Sequence, residues 1–147
     1  MQRARDILKA KTGEVWSVPP RATVLEALKI MDEKEIGALM VISDKGKVAG
    51  IVTERDYARK IVLKGKSSKD TAVDKIMTPA SKMFTVKPDT PVEDCMVLMT
   101  AKRVRHLPVF EGNKFLGLVS IGDVVKATIS EKDMLIEHLS NYISGNY

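Results

Sequence analysis

The chain has 147 residues, of which 44% are hydrophobic and 29% charged, and its 24 Lys and Arg against 19 Asp and Glu give a formal net charge of +5. This composition is globular and excludes an intrinsically disordered chain. No apolar run approaches the roughly 18 residues of a membrane-spanning helix, and no signal peptide is expected at the N-terminus. A single cysteine excludes an internal disulfide, and two histidines are too few for a Cys/His zinc site. We therefore expect a cytoplasmic protein without a metal.

The first half of the chain predicts a strand, a helix, two strands and a second helix. The first strand is Val15–Val18, and the helix begins at Thr23, which forms a capping pattern with the glutamate three residues later. Two apolar runs around a turn, 39–42 and 48–52, predict a hairpin, and a helix follows from about Glu54. The order of elements is β-α-β-β-α.

The second half repeats this order. Thr90 and Pro91 are the predicted N-cap and first residue of its first helix. The other elements are predicted as strands at 83–86, 107–110 and 115–119 and a helix from about Ile121. Shifted by 68 residues, and by 67 after a deletion in the hairpin turn, the two halves share eleven identities. The chain therefore contains an internal duplication.

The duplication predicts a first repeat with an N-terminal helix at 1–68, a second repeat at 69–130 and a C-terminal helix at 131–147. A polar segment at 64–70 is typical of a linker. One repeat alone buries little surface, so we expect the two to pack face to face with pseudo-twofold symmetry. A cleft between such halves is a favoured place for a ligand.

The same short element follows the third strand of each repeat. A hydroxyl residue, two further residues and an aspartate open the next helix, first as Thr53 to Asp56 and then as Ser120 to Asp123. One interpretation is a capping box, in which hydroxyl and carboxylate satisfy backbone N–H groups. The other adds a ligand, because a helix N-terminus attracts phosphate and a carboxylate accepts hydrogen bonds from a ribose diol. The recurrence then predicts two related nucleotide sites.

The whole arrangement resembles a pair of CBS domains, the cystathionine β-synthase repeat, also called a Bateman module. The motifs that carry the resemblance occur in a fixed order, as Val18-x-Pro20, Ile36-Gly37-Ala38-Leu39-Met40-Val41, Gly50-Ile51-Val52-Thr53-Glu54-Arg55-Asp56, Ile76-Met77-Thr78, Val86-x-Pro88, Arg103-Val104-Arg105-His106-Leu107-Pro108-Val109 and Gly117-Leu118-Val119-Ser120-Ile121-Gly122-Asp123. The resemblance implies an α+β fold with two tandem β-α-β-β-α repeats and a C-terminal helix, as in small stand-alone CBS-pair proteins.

The resemblance also implies an adenosyl ligand, namely AMP, ADP, ATP, NAD(H) or S-adenosylmethionine, without an obligatory cofactor. Ribose and phosphate would contact the helix starts and the basic residues before a hairpin strand, which gives Thr53, Arg55, Asp56, Arg105, His106, Ser120, Gly122 and Asp123. The adenine would pack between strands, against Val15, Trp16, Ser17, Ile36, Gly37, Ala38, Phe84, Thr85, Val104 and Pro108.

The two implied sites differ in their basic residues. Gly37 and Ala38 stand where the second repeat has Arg105 and His106. Arginine can hold a phosphate through two parallel hydrogen bonds, and histidine can add another. The residues by themselves also fit a surface arginine and a half-buried histidine bonded to a carbonyl. With the resemblance, we expect one strong site that depends on Arg105 and one weaker or empty site.

Other conspicuous residues have structural explanations beside functional ones. Trp16 can stack on adenine or belong to the core, and Cys95 corresponds to Ala27 on the buried face of a helix. The basic cluster of Arg59, Lys60, Lys64, Lys66 and Lys69 could bind phosphate or an acidic partner. A solvated helix end and linker is the favoured reading of this cluster.

The C-terminal segment predicts an amphipathic helix that ends at Gly145. Its apolar face consists of Leu135, Ile136, Leu139, Tyr142 and Ile143. This face either packs on its own module or pairs with another chain. Because the core is already filled by the repeats, we expect a homodimer.

These observations predict a non-enzymatic sensor that binds an adenine nucleotide in the cleft between the repeats and modulates an unidentified partner protein. Ser120 and Asp123 share one helix start, so a catalytic triad with His106 is not expected. The alternative is a ligand-independent protein-interaction module. Nucleic acid is not an expected partner, because exposed stacking aromatics are few and the net charge is modest.

Overall fold

The computed structural model describes residues 1–11 and 15–144, except for the side chains of residues 131, 132, 134 and 144. Two compact units divide the chain. The repeat-1 unit is Glu14–Met83, and the repeat-2 unit combines Met1–Gly13 with Phe84–Tyr147. The predicted boundary at 68/69 lies between the two sequence repeats. The compact units are divided differently, because residues 1–13 belong to the repeat-2 unit and residues 69–83 to the repeat-1 unit. We call these two segments the exchanged segments.

The regular elements follow one another in the predicted order. In chain order they are α1 (Ala4–Ala10), β1 (Ser17–Val18), α2 (Val24–Lys34), β2 (Ala38–Ile42), β3 (Val48–Thr53), α3 (Glu54–Tyr57) with a π-helical turn (Ala58–Val62), 3₁₀ turns at Val73–Lys75 and Ala80–Lys82 on either side of β4 (Thr78–Pro79), α4 (Val92–Lys102), β5 (His106–Glu111), β6 (Lys114–Ser120) and α5 (Ile121–Ser144).

The repeat-1 unit is built on a four-stranded sheet in the order β1-β2-β3-β4. β1 runs parallel to β2, and the other pairs are antiparallel. Helix α2 begins at the predicted capping box, because Thr23 Oγ1 accepts from the Glu26 N–H at 3.1 Å and the Glu26 carboxylate accepts from the Thr23 N–H at 3.0 Å. The buried face of α2 packs on the sheet through Val24, Ala27 and Met31.

The repeat-2 unit contains the hairpin of β5 and β6, with α4 and α5 packed against it. The predicted strand at 83–86 is reduced to a parallel bridge between Val86 and Val109. Cys95 is fully buried in this core, as predicted from its match to Ala27.

Two equivalent glycines allow the exchanged segments to pack against the sheets. Ile7 of α1 lies in the core of the repeat-2 unit, while Ile76 lies in the core of the repeat-1 unit. A Cβ at Gly117 would lie 2.7 Å from Leu8 Cδ2. A Cβ at Gly50 would collide with the backbone carbonyl of Thr78. The identity of these glycines in the two repeats therefore has a packing cause.

The start of α4 differs from the prediction. Thr90 was expected to cap the helix, but the N-cap is Pro91, which has no side chain that can accept a hydrogen bond. The Thr90 hydroxyl instead accepts from the Lys87 N–H at 3.0 Å, and the Thr90 N–H donates to the Lys87 carbonyl at 3.1 Å. The Thr90 hydroxyl therefore stabilises the turn before the helix and does not cap the helix.

The C-terminal end is one helix and not two. Residues predicted as a separate C-terminal helix continue α5 without a break as far as Ser144. The predicted helix end, Gly145, lies outside the described residues. Within the described part of the chain, no helix is long and apolar enough to cross a membrane.

Candidate functional site

In the repeat-1 unit, the predicted hydroxyl and carboxylate form a capping box. Thr53 ends β3, and its Oγ1 accepts from the Asp56 N–H at 3.2 Å. The Thr53 N–H and hydroxyl both donate to Asp56 Oδ2, at 2.9 and 3.2 Å. Asp56 Oδ1 lies 3.2 Å from Lys60 Nζ, which also donates to the Ile76 carbonyl at 2.8 Å. Both oxygens of this carboxylate are therefore engaged within the unit.

In the repeat-2 unit, the backbone and lysine contacts of the equivalent carboxylate converge on one oxygen. The Ser120 N–H donates to Asp123 Oδ2 at 2.8 Å, and Ser120 Oγ accepts from the Asp123 N–H at 3.1 Å. Lys11 Nζ lies 2.9 Å from the same Oδ2 and donates to the Leu118 carbonyl at 2.8 Å. Both of these donors meet Oδ2, and a carboxylate oxygen has two lone pairs, so the Asp123 carboxylate retains capacity to accept from a ligand hydroxyl.

The sheet register joins each helix start to the residues before the hairpin. Ala38 pairs with Thr53 across β2 and β3, and His106 pairs with Ser120 across β5 and β6. The first N–H of each helix donates to a carbonyl at this point, from Glu54 to Gly37 at 3.1 Å and from Ile121 to Arg105 at 2.8 Å. The predicted ribose and phosphate residues thus lie together in each unit.

Burial and charge act on Asp123 in opposite directions. Burial alone raises the pKa of this carboxyl, but the hydrogen bond from the Ser120 backbone and the ammonium of Lys11 outweigh it and lower the pKa below its usual value. The carboxylate is therefore held ionised, as an acceptor of ribose hydroxyls requires.

His106 is kept in its neutral form. Burial is the main effect that lowers the pKa of its imidazole, and the positive charge of Lys11 lowers it further. Asp123 raises this pKa by less than Lys11 lowers it, and Arg105 lowers it by a still smaller amount. A neutral imidazole can donate one hydrogen bond and accept another. The Arg105 side chain beside it is exposed.

The predicted adenine-contact residues include two aromatic rings at equivalent positions. Trp16 is 37% exposed and Phe84 is 40% exposed, so neither is a core residue. Lys34 Nζ lies 4.2 Å from the Trp16 ring centre, and Lys102 Nζ lies 5.3 Å from that of Phe84. Each ring has an ammonium over one face, which is a cation–π contact.

The remaining predicted residues range from exposed to fully buried. Ala38 and Pro108 are buried, so their side chains are closed to a ligand in this structure. The residues that are partly or well exposed are Val15, Ser17, Ile36, Gly37, Arg55, Thr85, Val104 and Gly122. Gly122 is exposed at the start of α5, and a Cβ there would make an ordinary contact with Ser120 Oγ at 3.6 Å.

Two lysines that contact the predicted carboxylates were not predicted as site residues. Lys60 was assigned to a solvated basic cluster, although its spacing of four residues from Asp56 on a helix could have revealed the ion pair. Lys11 is separated from Asp123 by 112 residues, and no local pattern indicates their contact.

Outside the predicted site residues, the described chain has a surface pocket on the repeat-2 unit and no cluster of metal ligands. No group of three or more His, Cys, Asp or Glu side chains could hold a metal ion within the described residues. A surface pocket of about 480 Å³ on the repeat-2 unit includes Arg5, Lys87, Asp89 and Glu111. None of the predicted site residues lines it, and its opposite charges offset one another.

Known proteins resemble this chain over nearly its whole length. The CBS domain model matches residues 4–63 and 73–130. The CBS domain-containing protein CBSX3, mitochondrial, from Arabidopsis thaliana is 46% identical over 85% of the chain, which spans 62% of that relative's length. An uncharacterized 17.7 kDa protein from Acidianus ambivalens is 37% identical over 97% of the chain and 84% of its own length.

Solved structures support the same fold. A CBS-domain containing protein from Agrobacterium tumefaciens has a TM-score of 0.79 and 34% identity, with 86% of this chain and 92% of that one covered. CBSX2, solved in complex with AMP, has a TM-score of 0.72 and 26% identity, with 90% and 99% covered. The predicted α+β fold of two tandem repeats with a C-terminal helix is confirmed. Stand-alone proteins of this type are generally regulatory and non-catalytic.

Proposed function

The chain belongs to the CBS-domain family, and we propose that it is a regulatory module that binds an adenine nucleotide and modulates a partner protein. The ligand classes are AMP, ADP, ATP, NAD(H) and S-adenosylmethionine. The chain acts without catalysis, and its free, buried thiol suits a reducing compartment such as the cytoplasm.

One observation carries this proposal. A hydroxyl and a carboxylate are held together at the same strand-to-helix junction in both repeats, next to residues that begin a hairpin strand. A related chain of the same fold has been solved with AMP. The carboxylate accepts hydrogen bonds from the ribose diol, and the backbone and basic groups beside the helix start receive the phosphate.

The repeat-2 unit provides the stronger of the two sites in this proposal. The contacts of Asp123 converge on Oδ2, which leaves capacity for the ribose, and Arg105 and His106 add donors for phosphate. Gly122 is exposed and has no side chain, so a phosphate can approach the backbone at the start of α5. In the repeat-1 unit both Asp56 oxygens are engaged, and Gly37 and Ala38 carry no donor side chains.

Removal of both carboxylates tests the proposal. In the Asp56→Ala/Asp123→Ala variant, the ribose at each proposed site loses one charged acceptor worth about 1.5–3 kcal/mol, so AMP affinity should fall about tenfold to a hundredfold. Calorimetric titration of AMP into the folded variant and the wild type measures this change.

A matched control separates binding from helix capping. Glu26→Ala removes the carboxylate of the capping box of α2, which is not part of the proposed site. It should lower stability by about 1 kcal/mol and leave AMP affinity unchanged. Unchanged affinity in the folded double variant would contradict the assignment of both aspartates.

A ligand-independent interaction module is the second candidate function. Two observations favour it: the capping boxes are complete without a ligand, and α5 exposes apolar residues such as Ile129 and Leu139 at 53% and 50%. Partner capture that is identical with and without AMP, by a chain that binds AMP, would favour this candidate over nucleotide sensing.

A further inference from the structure

We propose that Lys11 makes the site of the repeat-2 unit prefer phosphate-bearing adenosine ligands over adenosine. This inference rests on the proposed nucleotide-binding function and adds a selectivity residue to it. The contact concerned is the one between Lys11 Nζ and Asp123 Oδ2, at 2.9 Å.

Helix α1 is fixed in the repeat-2 unit by backbone bonds at one end and by packing in its middle. The Ala4 N–H donates to the Thr90 carbonyl and the Arg5 N–H to the Pro88 carbonyl, both at 2.9 Å. Ala4 and Ile7 are buried in the core of the unit. Lys11, the C-cap of this anchored helix, is thereby directed to the start of α5.

Lys11 reduces the electrostatic repulsion between Asp123 and a ligand phosphate in the proposed site. The carboxylate that accepts the ribose also repels the phosphate of the same ligand. Lys11 contributes a positive charge against Asp123, while its second bond, to the Leu118 carbonyl, holds the ammonium in place. With the Asp123 charge offset, the exposed Arg105 guanidinium is available to the phosphate.

The net charge of the two helix starts differs as a consequence. In the repeat-2 unit, the charged groups beside the helix start are Lys11, Arg105 and Asp123, and the lowered pKa of His106 keeps that residue neutral. In the repeat-1 unit, Lys60 offsets Asp56, the adjacent Glu54 and Arg55 carry opposite charges, and Gly37 and Ala38 are uncharged. Only the repeat-2 site therefore has an excess positive charge from these groups.

The two lysines come from unrelated positions of the sequence. Ala127 stands where a copy of Lys60 would be in the second repeat, and it is buried. The same pair of contacts, to the aspartate and to a carbonyl, is supplied by Lys11 from the exchanged N-terminal helix. Lys11 is thus a feature of this chain's repeat-2 site and not a copy of its first repeat.

The test compares Lys11→Met, Lys11→Arg and Lys9→Met in the full chain. Lys9 is exposed on the same helix, and Lys9→Met changes the net charge by the same amount as Lys11→Met. The dissociation constants of AMP and adenosine are measured for each variant by calorimetry, with adenosine followed by displacement of AMP. Melting temperatures without ligand confirm that the variants are folded.

Lys11→Met should weaken AMP about fivefold to tenfold. The adenosine affinity of this variant should be unchanged or higher, because Asp123 Oδ2 loses its lysine contact and keeps only the bond from the Ser120 N–H. Lys11→Arg should retain the preference for AMP, and Lys9→Met should behave as the wild type. Equal effects on both ligands, or AMP affinity of Lys11→Met within twofold of Lys9→Met, would overturn the inference. Absence of AMP binding by the wild type would instead overturn the proposed function itself.

Discussion

At the residue scale, the charge state of His106 depends on its surroundings. Its pKa lies below the usual 6.5, because burial disfavours the imidazolium and Lys11 and Arg105 add positive charge. The unfolded chain therefore binds more protons at this residue than the folded chain does as the pH falls through 6.5. The contribution of His106 to stability is present above that pH and is lost below it.

Replacement of this histidine should reduce the acid sensitivity of the fold. Between about pH 7 and about pH 5.5, the free energy of unfolding should fall less in His106→Gln than in the wild type. Urea unfolding at both pH values measures the difference. His138→Gln, at an exposed position of α5, is the control.

The outcome is specific to the imidazole in this pH range. The pKa of Asp123 is lowered from 3.8, so its contribution to stability is lost only as the pH falls below that value. If His106→Gln and the wild type lose equal stability on acidification, the proposed destabilisation of the imidazolium is wrong.

At the scale of elements, equivalent glycines meet different neighbours. Gly50→Ala should lower the free energy of unfolding by about 1–3 kcal/mol, because the new methyl group meets the backbone of β4 and Met77 Sδ at 2.9 Å. Gly117→Ala should cost less, because it meets only the end of the flexible Leu8 side chain. Urea unfolding of the two variants measures the difference.

The reverse order of the two effects would contradict this account of the exchanged segments. The comparison is matched, because both glycines lie in the strand that ends at the helix start of their repeat. If neither substitution lowers the free energy of unfolding, α1 and β4 do not pack closely against these strands.

Local patterns predicted the elements whose bonds are local. The capping pattern at Thr23 identified the start of α2 because both of its bonds span three residues. The hairpin of β2 and β3 was found within one residue at each end from its apolar runs and turn. The capping boxes at Thr53 and Ser120 follow from the same short spacing.

The sequence did not reveal features that depend on competing or distant contacts. Thr90 is a residue type that commonly caps helices, but its hydroxyl accepts a hydrogen bond from the Lys87 N–H in the preceding turn. The contact of Lys11 with Asp123 depends on the exchange of α1 into the repeat-2 unit. Which Asp123 oxygen contacts Lys11 and the Ser120 N–H could likewise be determined only from the tertiary structure.

For the whole molecule, we predict that α5 provides a surface for association with a second copy. Its apolar residues beyond the repeat are well exposed, from 50% at Leu139 to 85% at Ile143. Truncation after Ser130 removes this surface, so the full chain should be dimeric at micromolar concentration and the truncated chain should shift to the monomer. Light scattering measures both masses.

A dimer of equal strength after truncation would place the interface elsewhere on the chain. A monomeric full chain would contradict self-association altogether. The exposed Val97 on α4 and Leu63 after the π-helical turn are among the other exposed apolar residues that such an interface could use.

Thermal unfolding of the wild-type chain with a panel of ligands tests the central claim most directly. A ligand that binds only the folded state at a concentration about a hundred times its dissociation constant adds about 2.7 kcal/mol of stability, which raises the Tm by several degrees. We predict such a rise with at least one of AMP, ADP, ATP, NAD(H) and S-adenosylmethionine, and none with GMP. An unchanged Tm with all five adenosyl ligands at millimolar concentration would contradict nucleotide sensing.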